Sequence, residues 1–241
     1  MAGHSHWANI KRAKAANDAK RGKVWSKIAR KIIIAAKRGG DPKENLALRY
    51  VIDEAKSANM HKDTIQNAIK KGTGELGGDN FEEVLYEGYG PGGVAFICDG
   101  LTNNRARTAA EVRRAFELAG GNLGTSGSVS FQFTKQGILA IRVELVAEEM
   151  LMELALSAGA DDVRSDGGEV FQVITPPVAY HKVKDAIDAA KIPIEAGEIT
   201  YLPNTTIALS PPHAASLAKL VDSLEDNDDI QSVSHNAELP G

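Results

Sequence analysis

The sequence predicts an α+β fold: an N-terminal helical domain followed by two α/β, ferredoxin-like modules. Three observations carry this. Apolar residues recur at helical spacing within the first 72 residues, and after residue 80 the chain changes to short β-branched runs alternating with helices. Residues 138–202 then read β-α-β-β-α-β, the ferredoxin-like order.

Val24, Trp25, Ile28, Ala29, Ile32 and Ala36 form an amphipathic stripe that stops at Gly39-Gly40. Asp41-Pro42-Lys43-Glu44 offers a capping Asp, Pro at the first helical position and Glu three residues past the cap, so a second helix is expected to open there. Leu46, Ala47, Tyr50, Val51 and Ala55 lie along it, and a third short helix is expected over about 61–71, ending at Gly72. Upstream, residues 8–23 have helix-forming composition but almost no large apolar residue, and are expected to stay mobile until they meet a partner.

Residues 73–80 read as a Gly-containing linker. Strands are expected at 84–89 and 94–101 around Gly90-Pro91-Gly92-Gly93, then a helix over 105–119 and a strand at 129–133. Strand 138–143, helix 147–157, strands 162–164 and 169–174, helix 177–190 and strand 198–202 follow. Strand 206–209, helix 211–224 and strand 230–234 close the chain. This β-α-β tail completes a second unit with the ββαβ of 84–133, which makes 137–203 an insertion; a linear array of modules is the competing order.

The net charge of −4 conceals a division. Residues 1–72 hold 17 Lys+Arg against 6 Asp+Glu, a balance of +11, while residues 73–241 hold 11 against 26, a balance of −15. A clustered basic face gains affinity for nucleic acid by releasing phosphate counterions. The candidate contacts are Lys11, Arg12, Lys14, Lys20, Arg21, Lys23, Lys27, Arg30, Lys31, Lys37 and Arg38; Asp18 is the only acid between residues 8 and 38. On a helix, Lys20, Lys23, Lys27, Arg30, Lys31 and Lys37 fall on or beside the face opposite the Trp25/Ile28/Ile32 stripe. A merely solvated face is the plain alternative. Lys and Arg so placed position a backbone without reading bases. The chain shows no helix-turn-helix signature, zinc-finger spacing, heptad-supported basic region or aromatic RNP-type strand. Structured RNA, recognised by shape and phosphates, therefore stands ahead of sequence-specific DNA.

Other function classes fare poorly. No run approaches the ~18–20 apolar residues of a membrane span. There is no secretory h-region, and the single Cys98 excludes an intramolecular disulfide or thiolate cluster. A cytoplasmic setting is expected, or the mitochondrial matrix if a presequence has been removed. Gly88-Tyr89-Gly90-Pro91-Gly92-Gly93 lies between two strands and is a turn, not a dinucleotide fingerprint; no G-x-x-x-x-G-K-[ST] occurs. His4-Ser5-His6 has no Cys or carboxylate spaced with it as a metal site. Glu225-Asp226-Asn227-Asp228-Asp229 has Gln231 where a calcium loop needs Gly, and is expected to be a solvated helix end and turn. Cys98 is expected to pack, and His181, His213 and His235 each lack a neighbouring Ser or Cys as a nucleophile–base pair. No catalytic residue, cofactor or metal is expected.

The loops carry more signal. Residues 120–128 hold four glycines and three small hydroxyl residues, which serves flexibility or lets the backbone approach RNA or a peptide closely. Gly90, Gly92, Gly121, Gly124, Gly127 and Ser128 are the candidate loop positions. Asn104 and Arg105 open a helix, where they cap it or hold a phosphate at its N-terminus. Trp7 either staples the basic arm onto the helical domain or stacks on a nucleotide.

Several stretches together resemble the YebC family, which includes the mitochondrial translational activator of cytochrome c oxidase subunit I. They are Gly3-His4-Ser5-His6-Trp7-Ala8-Asn9-Ile10-Lys11, Gly39-Gly40-Asp41-Pro42 with Asn45, Leu48 and Arg49, and Ala58-Asn59-Met60. Tyr86-Glu87-Gly88-Tyr89-Gly90-Pro91-Gly92-Gly93-Val94-Ala95, Leu101-Thr102-Asn103-Asn104-Arg105, Gly120-Gly121-Asn122-Leu123-Gly124 and Gly127-Ser128-Val129 complete the set. His6, Trp25 and His61 depart from the usual Lys, Phe and Pro. The resemblance implies three domains: 1–72, basic and helical with a mobile arm; 81–134 with 204–241; and 135–203 inserted as a βαββαβ module, after a linker at 73–80. It favours insertion over a linear array. It further implies a ribosome-associated factor that relieves stalling at proline-rich stretches, with ribosomal RNA or tRNA as partner. The family's long-standing transcriptional-regulator label makes DNA the alternative. A monomer is expected.

Overall fold

A computed structural model describes residues 21–77, 80–165 and 168–238. Helix α1 (Arg21–Ala36) turns Ile28, Ile32, Ile33 and Ala36 inward, the i, i+4 stripe read from the sequence. They pack against Leu48, Ile52 and Ala55 of α2 (Leu46–Ser57) and Ile65, Ala68 and Ile69 of α3 (Lys62–Gly72). Trp25 lies at the margin, with its indole N–H donating to the Ala58 carbonyl at 3.0 Å and His61 edge-on at 5.1 Å. A Cβ at Gly72 would stand 2.5 Å from the Ile33 carbonyl oxygen, so glycine is what lets α3 close onto α1.

The start of α2 differs from expectation. Asp41 to Glu44 form a separate turn, and Asn45 is the cap, accepting from the Leu48 N–H at 3.1 Å. The Asn45 amide also donates to the carbonyls of Ala35 (2.8 Å) and Gly39 (2.7 Å). Satisfying the orphan carbonyls of α1 fixes where α2 begins, and overrides the local Asp-Pro-x-Glu signal.

The first sheet has the order β3-β1-β2-β9. β1 (Glu82–Tyr89) and β2 (Ala95–Thr102) form a hairpin about Gly90 to Val94, β3 (Asn122–Leu123) pairs with β1, and β9 (Ile230–His235) pairs antiparallel with β2. Helices α4 (Arg105–Leu118) and α7 (Pro211–Glu225) cover one face, enclosing Phe96, Val112, Phe116, Leu217, Leu220 and Ile230. The other face buries Ala95, Ile97, Val129 and Phe133. Residues 129–132 are not the expected strand: they form an irregular turn, because the Val129 and Ser130 amides donate to the Glu87 carboxylate instead of a ladder.

The second sheet, β5-β6-β4-β7, is antiparallel throughout. Its strands are β4 (Phe133–Arg142), β5 (Asp162–Ser165), β6 (Val170–Thr175) and β7 (Ala196–Pro203), with α5 (Glu148–Ala158) and α6 (Tyr180–Ala189) on one face. This is βαββαβ order with the ferredoxin-like strand arrangement. The first sheet thus takes strands from both sides of the second in the chain. Thr200 of β7 and Ser234 of β9 meet through buried hydroxyls at 3.1 Å, joining the two sheets. A short parallel pair, β8 (Ile207–Ala208) with β10 (Ala237–Glu238), lies near the end of the chain.

Candidate nucleic-acid interface

Lys11, Arg12, Lys14 and Lys20, with Trp7 and His4-Ser5-His6, lie outside the described residues, as does the side chain of Arg21. The remaining candidate cations divide into two groups. Lys23, Lys27 and Arg30 do not face solvent alone: they reach the C-terminal end of α7. Lys23 Nζ lies 3.1 Å from both the Asp226 carbonyl and its Oδ1, and Lys27 Nζ donates to the Glu225 carbonyl at 2.9 Å. Arg30 donates to the Asp228 carbonyl and pairs with Asp229 Oδ1 at 3.4 Å. Unpaired carbonyls give a helix C-terminus partial negative charge, and cations belong there. Burial lowers the Lys27 pKa despite Glu225 and Asp228 nearby.

The same contacts overturn the expectation of a solvated turn at 225–229. Asp229 is buried and accepts from Thr102 (3.0 Å), Thr108 (2.6 Å) and Arg107 (2.6 Å), besides pairing with Arg30. Burial alone would raise its carboxyl pKa; the hydrogen bonds from Thr108, Arg107 and Thr102 outweigh that and hold it below the usual range. Arg30 of α1 and Arg107 of α4 therefore share one carboxylate, which ties the helical unit to the first sheet.

The second group, Lys31, Lys37 and Arg38, makes no contact with α7 among those described. Lys31 pairs with Glu54 at 2.8 Å, and Lys37 donates to Asn80 Oδ1 and the Phe81 carbonyl at 2.8 and 2.7 Å. Arg38 is exposed. Because Gly72 packs on Ile33 and Ala36, and Gly40 faces Thr73, the ends of α1 and α3 converge. Arg38, Lys70 and Lys71 share that corner, all exposed and in no ion pair among the described residues. Sequence reasoning missed Lys70 and Lys71; their signal was charge at a helix C-terminus beside Gly72. It missed Arg113 and Arg114 as well, both exposed on α4.

Most loop candidates have internal duties. Asn104 caps α4, accepting from the Arg107 N–H at 3.1 Å, and Arg105 pairs with Glu82 at 3.2 Å. A Cβ at Gly90 would meet the Phe96 ring at 2.5 Å, and Gly92 holds φ +72° against Leu209 and His213. A Cβ at Gly121 would meet the Tyr89 carbonyl oxygen at 2.4 Å, Gly124 abuts Ser128 Oγ, and Gly127 holds φ +86°. Glu87 is 3% exposed, and its carboxylate accepts the N–H groups of Gly127, Val129 and Ser130, each at 2.8 Å. Burial pushes its pKa up, but these three amides prevail and hold it below the usual value. The glycines thus serve a fixed loop rather than a slack one.

Cys98 is buried, and burial pushes its thiol pKa far up. One histidine expectation fails: Ser210 Oγ lies 3.2 Å from His213 Nδ1, brought together one helical turn apart at the start of α7. Both are exposed, and among the described residues no carboxylate hydrogen-bonds His213 as the third member of a triad. No cluster of three or more His, Cys, Asp or Glu that would hold a metal occurs among the described residues. None of the described helices is long and apolar enough to cross a membrane.

These features define an α+β protein in which a cation-rich three-helix unit is clamped to two helix-covered antiparallel sheets. The model of the TACO1/YebC protein N-terminal domain matches residues 5–75, and that of the TACO1/YebC second and third domain matches residues 81–237. The chain belongs to the TACO1/YebC family. It is 50% identical over 241 residues to the probable transcriptional regulatory protein TTE1135 of Caldanaerobacter subterraneus subsp. tengcongensis, covering 99% of each chain. It is 49% identical over 240 residues to the probable transcriptional regulatory protein IL1088 of Idiomarina loihiensis, covering 99% of this chain and 96% of that one. The crystal structure of a conserved hypothetical protein, Aq1575 from Aquifex aeolicus, is similar at TM-score 0.83 and 45% identity, covering 93% of both chains.

Proposed function

We propose that this protein is a non-enzymatic translation factor that docks on ribosomal RNA or tRNA in the ribosome and eases synthesis of difficult stretches, proline-rich ones among them. The observation that carries this reading is how the cations are spent. Helix α1 has its apolar stripe in the core and Lys23, Lys27 and Arg30 on the end of α7, so it is not free to enter a DNA major groove. Among the cations left exposed, Arg38, Lys70 and Lys71 sit at helix ends, suited to phosphates and not to base edges. Docked there, the acidic sheets with their fixed loops would act by positioning, which removes orientational entropy from the ribosome's own reaction.

The name that the relatives carry, probable transcriptional regulatory protein, favours a second reading as a DNA-binding regulator. Cosedimentation with ribosomes from a cell lysate, with and without ~0.5 M salt, separates the two, because screening weakens phosphate contacts. Ribosome association that salt abolishes is the expected result. Absence from ribosomes together with a discrete DNA footprint would replace the first reading with the second.

A further inference from the structure

We infer that Phe131 is a stacking platform for an unpaired nucleobase, an inference that rests on the RNA-binding reading above. The residue is 73% exposed. A single exposed apolar side chain is ordinary on a protein surface. What sets Phe131 apart is the rigidity of the backbone that presents it. On one side, Ser130 N–H donates to Glu87 Oε2 at 2.8 Å. On the other, the Gln132 carbonyl accepts from Asn204 N–H at 2.8 Å, and its side chain bonds Tyr89 at 3.4 Å and Asn236 at 3.3 Å. The Phe131 carbonyl itself accepts from the Asn204 amide at 3.4 Å. A ring held out this way has little backbone entropy left to lose when something covers it.

Two features of the surroundings choose the occupant. Residues 118–134 contain no charged side chain, inside a part of the chain whose balance is −15; the Glu87 carboxylate bonded beneath this loop is 3% exposed and spent on three backbone amides, and Lys135 follows directly. Along the loop its neighbours are Ser130 and Gln132, the apolar Val129 and Phe133 beyond them are buried, and no second exposed large apolar side chain adjoins it in sequence. A protein hot spot is normally an aromatic anchor among further apolar contacts. A lone exposed ring of this kind suits the face of a planar base, which stacks without needing a polar partner from the protein.

The test compares the wild type with Phe131→Ala, Phe131→Leu and Phe131→Trp. The probes are a labelled unpaired oligoadenylate of about 12 nucleotides and a fully paired RNA hairpin, with binding read by anisotropy. Phe131→Ala is expected to weaken the oligoadenylate by about 5- to 150-fold, the range for losing one base–aromatic stack. Hairpin binding and the melting temperature should not move. Phe131→Trp should keep the affinity, and its added emission should be quenched on binding. Unchanged oligoadenylate affinity in Phe131→Ala, with the wild type still binding RNA, would overturn this inference alone. Full affinity in Phe131→Leu would also overturn it, in favour of a plain apolar contact of the kind a protein makes. Failure of the wild type to bind either RNA would overturn the translation-factor reading and this inference with it.

Discussion

Removing the Asp229 carboxylate should loosen the helical unit from the first sheet and destabilise the protein. The carboxylate is 4% exposed, while Arg30 is 17% and Arg107 45% exposed. The half-exposed Arg107 pair is solvent-screened and worth at most about 1 kcal/mol. Thr102 and Thr108 would lose hydrogen bonds to a charged acceptor but keep each other at 2.8 Å, and Thr108 still reaches the Asn104 carbonyl. Their combined loss is therefore about 2–3 kcal/mol. Arg30 would be left largely buried without its counter-charge, which brings the total for Asp229→Ala to about 3–5 kcal/mol. For a chain of this size that is a fall of roughly 6–20 °C in melting temperature. Urea unfolding followed by circular dichroism measures it. The pH dependence supplies an independent check. The folded-state pKa of Asp229 is depressed, so its contribution is complete above the unfolded carboxyl value of about 3.9 and disappears as pH falls through the lower folded value. Asp229→Asn should lower stability at neutral pH and flatten its decline below about pH 4. A variant within about 1 kcal/mol of the wild type, with an unchanged acid limb, would refute the view that this carboxylate holds the two parts together.

Glu87→Gln should release the segment 127–130 while leaving the fold in place, since a neutral amide oxygen accepts more weakly than the carboxylate; faster hydrogen exchange at Gly127, Val129 and Ser130 is the readout, and unchanged protection would contradict it. Gly121→Ala drives a Cβ onto the Tyr89 carbonyl oxygen and should cost about 1–3 kcal/mol, seen as a lower urea midpoint. Charge reversal at Arg38, Lys70 and Lys71 should weaken RNA binding and reduce the slope of log affinity against log salt by about 2–3, without changing the melting temperature. Reversal at Lys27, Arg30 and Lys31 should instead lower the melting temperature and change the salt slope of binding far less than the Arg38, Lys70 and Lys71 reversal does, because Lys27 and Arg30 grip 225–229 and Lys31 pairs with Glu54.

Much of the architecture was legible because the local signals agree with the packing. The Ile28/Ile32 stripe, the βαββαβ order after Gly137 and the Pro-initiated α7 all appear where periodicity and turn chemistry put them, within a few residues. Two of the misreadings share one cause: a polar side chain from outside the element claimed a backbone group that local rules had assigned elsewhere. Asn45 took the carbonyls of Ala35 and Gly39 and moved the start of α2. Glu87, some forty residues upstream, took the amides of Val129 and Ser130 and removed a strand. The same mechanism changes how the charge division should be read. A surplus of cations in one segment and of anions in another is what a polyanion site looks like, and equally what two units that bind each other look like. Here both apply within one unit: Lys23, Lys27 and Arg30 meet the acidic end of α7, while Arg38, beyond the last turn of α1, is exposed, as are Lys70 and Lys71. Counting charges per segment overestimates the free basic surface, because Lys23 and Arg30 are each paired with a carboxylate of the acidic part and Lys27 is spent on a carbonyl there. The cations that a phosphate backbone can reach are those left over after the protein has bound itself.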